Sequence, residues 1–479
     1  MRLLILIVLV VCNVTWLNAQ TLEDLLRITK NPNQYSARAT GIGSGFMGIS
    51  DEISALYYNP AGLSRLRYSE FSTSINMNRN SSSTQYLQNS LGGNVNAIDF
   101  TNIGFGSIIN TRRKDSIALV TGFAINYTQE DDYSNRYSFN GFNPFNTITQ
   151  SLTNETSNFS NNYAYQLYLA DTVNGKMMSP IKDSVQQYGW MEETGAKRSF
   201  NLGVGLDLNR SFAVGLSVGL SWGDYNYFRN FVEEDINNKY NSLDRVNFTN
   251  TDFTRLTLHD SLAQSFNGFT ARIGFLYKLK DIARIGMTIT LPKLYSITEN
   301  FSRSSTSLFD NGQSYSFTSS GRNEYNVTTP WIFAMGVSTS VFGLILSSNV
   351  EYADYSQLSS GYANSTLIAI NQQIPLVLGE QITYGIGAEY TFSDIDIPLS
   401  IRGGFTHIGN QYKVAEFDNG QNVFSGGIGI LLDDDVRLDL TTRTLAITGS
   451  YAMYGDGFNS SYSLKNTIST YALQITVRF

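Results

Sequence analysis

The sequence predicts an all-β fold, a transmembrane antiparallel β-barrel of about 14 strands with an N-terminal plug in its lumen. Three observations predict it: strict alternation in the last strand, a sorting of short and long connections, and a distinct N-terminal segment. The alternation is clearest at the end of the chain, where one face carries Tyr471, Leu473, Ile475, Val477 and Phe479 and the other carries smaller or polar residues. Such a strand fits a wall with lipid outside and water inside.

Residues 1–19 have the pattern of a secretory signal peptide. Arg2 is followed by an apolar run from Leu3 to Val11 and by Asn18-Ala19-Gln20, which predicts cleavage after Ala19. The run is too short to span a bilayer as a helix. Cys12 lies inside this leader, so the mature chain has no cysteine and its stability must come from backbone pairing and packing.

The composition excludes several classes of protein. Only 15% of residues are charged and 13% are aromatic, whereas ordinary soluble domains have about 25% charged residues. Loss of Arg2 with the leader leaves 32 basic against 40 acidic residues, a net charge of −8, which argues against nucleic acid as a partner. No helix-length apolar run follows the leader, which excludes an α-helical membrane protein.

Residues 20–67 form the predicted plug. Leu22, Leu25, Leu26 and Ile28 suggest a short amphipathic helix, and a Gly-rich stretch follows it. A lumen of fourteen strands is too wide for side chains alone to fill. We therefore expect this segment to fold inside the barrel.

Residues 68–479 repeat one unit, namely an alternating strand, a short turn, a second strand and a long polar connection. Six such hairpins, with a first strand near Tyr68–Asn78 and a last near Asn466–Phe479, give fourteen strands. The short turns alternate with seven longer connections, at about 79–96, 129–197, 229–265, 298–329, 357–380, 409–422 and 448–465. This sorting is typical of bacterial outer-membrane barrels.

Aromatic residues collect near the loop ends of the strands. We expect them to form an interfacial girdle facing lipid: Tyr127, Trp222, Tyr225, Tyr227, Tyr352 and Tyr355.

The sequence predicts no enzyme, cofactor or metal site. The two histidines, His259 and His407, have no paired spacing, and no serine is placed beside either as a nucleophile would be. Gly43–Gly48 matches a nucleotide-binding glycine pattern but follows no strand of a βαβ unit, so flexible plug backbone is the better interpretation.

The stretch Gly48–Leu63, ending in Asn59-Pro60-Ala61-Gly-Leu, resembles the hatch of the FadL/TodX family of outer-membrane transporters of hydrophobic compounds. Weaker similarities occur in Ala283–Pro292, Ser400–His407 and Phe424–Ile430. Together with the strand count, the resemblance covers most of the mature chain.

The resemblance implies a monomeric, hatch-plugged barrel in the outer membrane, in contact with lipid and lipopolysaccharide. Hydrophobic small molecules or fatty acids would enter from outside and leave sideways into the membrane. It also implies a lateral opening in the third strand, 117–127, although no proline or evident bulge marks that strand. The N-terminal gate would be formed by Thr21, Leu22, Leu25 and Leu26.

Two further sets of residues are candidate sites. Asn59-Pro60-Ala61 would fix the turn that seats the hatch, because Pro60 sets φ and the Asn59 amide can bond nearby backbone. The lumen-side charges Arg272, Glu389 and Arg402 are expected to be solvated or to anchor the hatch rather than to bind ligand.

Two other functions stay open. The long Asn-, Ser- and Tyr-rich connections suit a non-transporting barrel that binds proteins, such as the shuttle barrels of a Gram-negative secretion system. A general porin would need an open, charged constriction, and the plug-length N-terminal segment argues against it.

Overall fold

The computed structural model describes residues 21–29, 35–110, 120–154, 158–173, 175–241, 252–280, 282–361, 364–413, 420–433, 435–454 and 460–479. The predicted signal peptide and the start of the predicted third strand, 117–119, lie outside these ranges.

Twenty strands are described. They are β1 (Glu70–Tyr86), β2 (Asn89–Asn110), β3 (Val120–Asp132), β4 (Asn135–Asn143), β5 (Asp171–Val173), β6 (Lys176–Met178), β7 (Val185–Asp207), β8 (Phe212–Glu234), β9 (Phe253–Leu279), β10 (Ala283–Thr290), β11 (Leu294–Phe309), β12 (Ser314–Thr328), β13 (Ile332–Val341), β14 (Leu344–Asp354), β15 (Ser359–Gly361), β16 (Glu380–Phe392), β17 (Leu399–Ile408), β18 (Gln421–Asp433), β19 (Val436–Ala452) and β20 (Ser461–Arg478).

Fourteen of these strands close into a single antiparallel ring. Its order is β1–β2–β3–β7–β8–β9–β10–β13–β14–β16–β17–β18–β19–β20, and β20 pairs back with β1 from Glu70↔Arg478 to Tyr86↔Tyr462. The predicted barrel class and strand number are confirmed. Closure leaves the barrel without a free sheet edge around most of its height.

The connections differ from the prediction at the end of the barrel that carries the long loops. Residues 79–96 were expected to be a loop, but they continue β1 and β2 as a paired hairpin. Residues 298–329 likewise form the β11–β12 hairpin, which pairs with an extension of β9. These segments are rich in Ser, Thr and Asn, and their strand pairing is set by neighbouring strands rather than by an apolar alternation of their own.

The outward faces of the strands are apolar along the ring. On β16, Ile382, Tyr384, Ile386, Tyr390 and Phe392 are all exposed, and every strand from β1 to β20 in the ring contributes similar side chains to this belt. Their inward neighbours are small or polar, so the alternation predicted from the sequence is the one observed.

The aromatic girdle is corrected by the structure. Trp222 is exposed and its ring contacts that of Tyr127. Tyr225 and Tyr355 are instead buried inside the barrel, and Tyr227 packs against the interior. The reason is parity: on β8 the even-numbered residues face outward, so odd-numbered tyrosines must face inward.

Strands β7, β8 and β9 are 23, 23 and 27 residues long and rise well beyond the belt as one wall. At about 3.3 Å per residue this exceeds what a bilayer requires, since a spanning strand needs about 9–11 residues. The connection 144–184 packs on the inner face of this wall through Ile148, Leu152, Tyr163 and Leu167. We call this packed layer the cap.

Six helices are described: α1 (Leu22–Thr29), α2 (Ala37–Gly41), α3 (Ala55–Tyr58), α4 (Ile148–Asn154), α5 (Tyr163–Gln166) and α6 (Ser365–Val377). Within the described part of the chain, none of them has the length and apolar character needed to cross a membrane. Residues 35–66, with α2, α3 and a 3₁₀ turn at Pro60–Arg65, form a segment that we call the plug.

The plug lies inside the ring, since it hydrogen-bonds to strands on opposite sides of it. The Ala37 amide donates to Gln474 of β20 at 2.9 Å, and Thr441 of β19 donates to the Ala37 carbonyl at 2.7 Å. On the far side, Ser217 of β8 donates to the Leu56 carbonyl at 2.9 Å. The plug occupies the half of the lumen next to the short turns.

Candidate functional site

The Asn59-Pro60-Ala61 turn attaches the plug to the wall. Asn59 has an extended backbone, and its Oδ1 accepts from the Ala61 amide at 3.1 Å, which starts the 3₁₀ turn with Pro60 in its first position. Its Nδ2 donates to the carbonyl of Phe275, a wall residue of β9, at 2.9 Å. The side chain is fully buried, so the amide links the plug to the wall directly.

Glycines in the wall make this close approach possible. A Cβ added at Gly215 would lie 2.2 Å from the Pro60 carbonyl carbon, and one at Gly274 would lie 2.2 Å from Asn59 Oδ1. Others stand where the plug backbone meets further strands: Gly122, Gly205, Gly286, Gly387 and Gly404. Any side chain at these positions would push the plug away from the wall.

Buried ion pairs hold the other side of the plug. The Arg38 guanidinium binds Glu389 of β16 in a fork, with Nε and Nη2 at 2.9 and 2.8 Å. Glu389 also accepts from Arg402, and Arg402 binds Asp439 at 2.7 Å. The predicted lumen-side residues Glu389 and Arg402 therefore lie in one network with the plug, through Arg38.

Asp51 extends this network within the plug. Its carboxylate lies 2.7 Å from Arg38 Nη1. Burial alone would raise the pKa of Asp51, but the Arg38 guanidinium outweighs burial and holds that pKa below its ordinary value. The plug therefore contributes both a cation and an anion to the charge network. In the sequence, Arg38, Asp51 and Glu52 are the charged residues in an otherwise uncharged stretch.

Arg272 lies on the opposite wall from Glu389 and is separate from this network. It donates to the Leu56 carbonyl of the plug at 2.9 Å and to Thr290 Oγ1 at 3.0 Å. All three predicted lumen-side charges contact the plug or a residue bound to it.

The α1 helix fills an apolar chamber above the plug. Leu22, Leu25, Leu26 and Ile28 are buried there. They pack with residues of several strands and of α6: Tyr225, Phe266, Tyr295, Ile297, Tyr325, Val327, Leu367, Ile370 and Ile374. The predicted gate residues Leu22, Leu25 and Leu26 are thus in the bore, and Thr21 caps the helix through Asp24.

A buried lysine, Lys197, lies at the C-terminal end of α1, and a second buried lysine interacts with the same acidic partner. Lys197 of β7 donates to the Ile28 carbonyl at 3.0 Å and lies 3.4 Å from Glu130 of β3. Lys293, 4% exposed, interacts electrostatically with the same Glu130, and burial lowers its pKa. Glu130 thus forms an ion pair with Lys197 and interacts electrostatically with Lys293 beside an apolar chamber, an arrangement not predicted from the sequence.

The barrel wall has a seam beside β2. The β2–β3 ladder runs only from Asn102↔Thr128 to Asn110↔Val120, so within the described residues Asn89–Thr101 of β2 pair with β1 alone. Beyond Thr128 the chain turns inward: the Arg136 carbonyl of β4 accepts from Ser82, on the inner face of β1, at 2.7 Å. We call the boundary between this edge of β2, which lacks ladder pairing, and the inward-turned β3–β4 the seam.

Register shifts produce the seam. One lies between Ser74 and Ile75 opposite Thr101, and another between Gln129 and Asp131 of β3. No bulge was expected in the third strand as predicted, 117–127, and its described part from Val120 to Tyr127 pairs without a register shift; the shift in β3 lies just beyond it. The sequence signal of the first shift was present in β2, where outward residues change from even (Ile98, Phe100) to odd numbers after Thr101.

The fold and its interior define the class: a closed 14-stranded barrel filled by its own N-terminal segment. No family model matches the chain, and no protein of curated function matches it in sequence. Solved structures of similar fold include a Pseudomonas aeruginosa FadL homologue, with 11% identity, TM-score 0.56 and coverage of 93% of this chain and 98% of that one.

Two toluene transporters have the same fold. The Pseudomonas putida protein TodX is 11% identical with TM-score 0.52, covering 89% of this chain and 94% of its own. The Ralstonia pickettii protein TbuX is 12% identical with TM-score 0.52, covering 93% and 98%. The chain therefore has the fold of FadL-type barrels, as the resemblance in the plug implied.

Proposed function

We propose that this protein is an outer-membrane transport protein for hydrophobic compounds, with long-chain fatty acids as the best-fitting substrates. Substrate would diffuse passively through a hatch-gated barrel and be released sideways into the membrane. The fold it shares with a FadL homologue and with toluene transporters supports the proposal.

The apolar belt supports a membrane location. Large apolar side chains exposed around a whole ring would be costly in water, at about 25 cal/mol per Å², and patches of this extent mark an interface. In a monomer surrounded by lipid and lipopolysaccharide, the apolar side chains of the belt would be covered by acyl chains.

The gate in this proposal is α1. Its four buried aliphatic side chains occupy the space that an alkyl chain would take. Burying each is worth about 1.5–3 kcal/mol, so α1 gains about 6–12 kcal/mol, whereas about fifteen methylenes of a ligand gain about 12 kcal/mol. The two are comparable, so a ligand can displace the helix.

The observation that carries the choice of substrate is the lysine pair beside α1. When α1 leaves, Lys197 loses its bond to the Ile28 carbonyl, and a ligand carboxylate can replace that oxygen. Lys293 would add a second ammonium to the same site. A charged headgroup needs such partners in a buried place, whereas a hydrocarbon such as toluene does not.

Lateral release fits the seam. Its free β2 edge borders the apolar belt through Ile98 and Phe100, both exposed. The Cβ position of Gly93 lies 3.0 Å from the Arg136 carbonyl oxygen across it, so cysteines at 93 and 136 are the pair to test as a crosslink between its two sides. We expect the oxidised pair to keep ligand binding and lose uptake, with reduction restoring uptake.

A second candidate is the protein-binding barrel. The wall of β7, β8 and β9 and the β11–β12 hairpin offer a polar surface above the belt, which suits a protein ligand. This alternative predicts no uptake of small molecules.

Uptake assays separate these functions. Cells with and without the protein are given labelled oleate or toluene, and variants lacking residues 20–27 or carrying Lys293→Met are compared. We expect uptake of oleate, raised non-selectively by the deletion, and a selective loss of oleate uptake in Lys293→Met with toluene unaffected. No uptake of either compound in any strain would reject the proposal and favour the protein-binding barrel.

A further inference from the structure

Four consecutive short turns expose large apolar side chains at the rim of the barrel. They belong to the hairpins β9–β10, β13–β14, β16–β17 and β18–β19, and we call these turns the apolar rim. Its exposed residues are Ile282, Val341, Phe342, Ile395, Ile397 and Leu432. Phe342 is 96% exposed at the tip of its turn.

The apolar rim is continuous for most of its length. The Thr391 amide donates to the Gly343 carbonyl at 3.0 Å, which joins the β13–β14 turn to the base of β16. The Leu431 amide donates to the Pro398 carbonyl at 3.1 Å, which joins the β16–β17 turn to that of β18–β19. The exposed side chains of these turns thus form one sector rather than scattered residues.

Phe342 occupies a backbone conformation that does not suit it. Its φ is 48° and that of Gly343 is 80°, the left-handed pair that hairpin turns usually fill with Asn-Gly. A bulky residue is uncommon there. Since its ring is almost fully exposed, packing within the barrel does not explain its presence.

The neighbouring short turn, which lies just outside this sector of the ring, is different. The β7–β8 turn is Asn209-Arg210-Ser211, and Asn209 Oδ1 accepts from the Ser211 and Phe212 amides at 2.8 Å. Arg210 is exposed to solvent. This turn is polar and closed by its own hydrogen bonds, as a turn in water should be.

We propose that the apolar rim inserts into the inner-leaflet interface of the bilayer and that the polar β7–β8 turn beside it stays in water. The proposal rests on the membrane location argued above. Its support is continuity, because β16 ends with the exposed belt residues Tyr390 and Phe392 and leads directly into the turn that exposes Ile395 and Ile397. Asp394 and Asp396 alternate with these isoleucines, and their carboxylates favour zwitterionic headgroups that carry an ammonium, such as phosphatidylethanolamine.

Uneven insertion tilts the barrel. Relative to the bilayer, the side of the barrel with the apolar rim moves toward the extracellular face, and the side with β2 and β3 moves toward the periplasmic face. The seam begins at Asn102, eight residues above the last residue of β2, or about 20 Å along a tilted strand. Tilting brings this point down to the level of the acyl chains, where a lateral exit has to open.

Single-cysteine spin labelling tests the proposal, because the chain has no cysteine after Cys12 of the leader. Phe342→Cys reports on the apolar rim, Arg210→Cys is the matched turn control, and Ile386→Cys reports on the belt. Each labelled protein is placed in phosphatidylethanolamine-rich vesicles, and label accessibility to oxygen and to a water-soluble nickel chelate is compared.

The expected result is an oxygen-to-nickel ratio at 342 that is close to that at 386 and several-fold above that at 210. A water-like ratio at 342 with a lipid-like ratio at 386 overturns the rim proposal and leaves the membrane location intact. Lipid-like ratios at both 342 and 210 overturn the asymmetry. Water-like ratios at all three positions reject the membrane location itself.

Discussion

Loosening α1 should accelerate its local opening without unfolding the barrel. Leu25 is fully buried among the side chains of the chamber. Replacing a buried leucine by alanine costs about 2–5 kcal/mol. In Leu25→Ala this free energy is lost from the docking of one short helix. At about 1.4 kcal/mol per tenfold, the docking equilibrium should shift toward the undocked helix by about 30-fold to about 4,000-fold.

Hydrogen exchange measures this shift directly, because amides that exchange through local opening speed up in proportion to the opening equilibrium. Mass spectrometry of the peptide spanning 22–29 should show exchange faster by the factor above, and exchange in β16 unchanged. Leu152→Ala is the matched control, since Leu152 is equally buried but lies in the cap. It should leave α1 exchange unchanged.

Two results would refute the reasoning. Exchange in α1 could be the same in Leu25→Ala and wild type, which would mean that the helix is held by contacts other than its buried leucines. It could instead accelerate equally in Leu152→Ala, which would mean that α1 opens only together with the whole interior.

Three further predictions concern the plug. Gly215→Val should displace it and raise single-channel conductance in planar bilayers, whereas Gly403→Val, whose Cβ position has no atom within 4 Å, should not; equal conductance in both variants would contradict this. Arg38→Met should lower the free energy of unfolding by about 3 kcal/mol, because Glu389 loses one of its two buried cations; an unchanged urea midpoint in detergent would count against it. Because the pKa of Asp51 is held below its ordinary value, its contribution is present above that value and lost as pH falls through the lowered pKa. The stability difference between wild type and Asp51→Asn should therefore stay constant from pH 8 to 5 and vanish only in strong acid, and a difference that disappears near pH 6 would disprove it.

Strand alternation made most of the barrel predictable. A wall strand has an inner face of small residues and an outer face of apolar residues, so apolar residues recur at every second position of the sequence. The six short turns were predicted at the positions where this alternation ends. The extensions above the belt lack that pattern: β12 from Ser314 to Glu324 has no fully buried residue, and β11 and β12 bury apolar side chains only near their ends. Their pairing depends on β9, which no local signal reveals.

The interior was harder to predict because it depends on residues far apart in the chain. The resemblance identified Asn59-Pro60-Ala61, but the glycines that receive it, such as Gly215 and Gly274, look like any small inward residue of a barrel. Lys197 and Lys293 lie almost a hundred residues apart and meet only because β3, β7 and the segment after β10 converge near α1. Parity alone, by contrast, could have placed Tyr225 inside and revealed the bulge at Thr101.

The close fit between the plug backbone and the wall glycines has a consequence for assembly. Gaps too small for a single methyl group leave no passage through which a folded plug could be threaded afterwards. Residues 35–66 must be in position while the sheet is still open, before the last strand meets the first. A ring produced without them should therefore not be repaired by supplying the missing piece as a separate peptide.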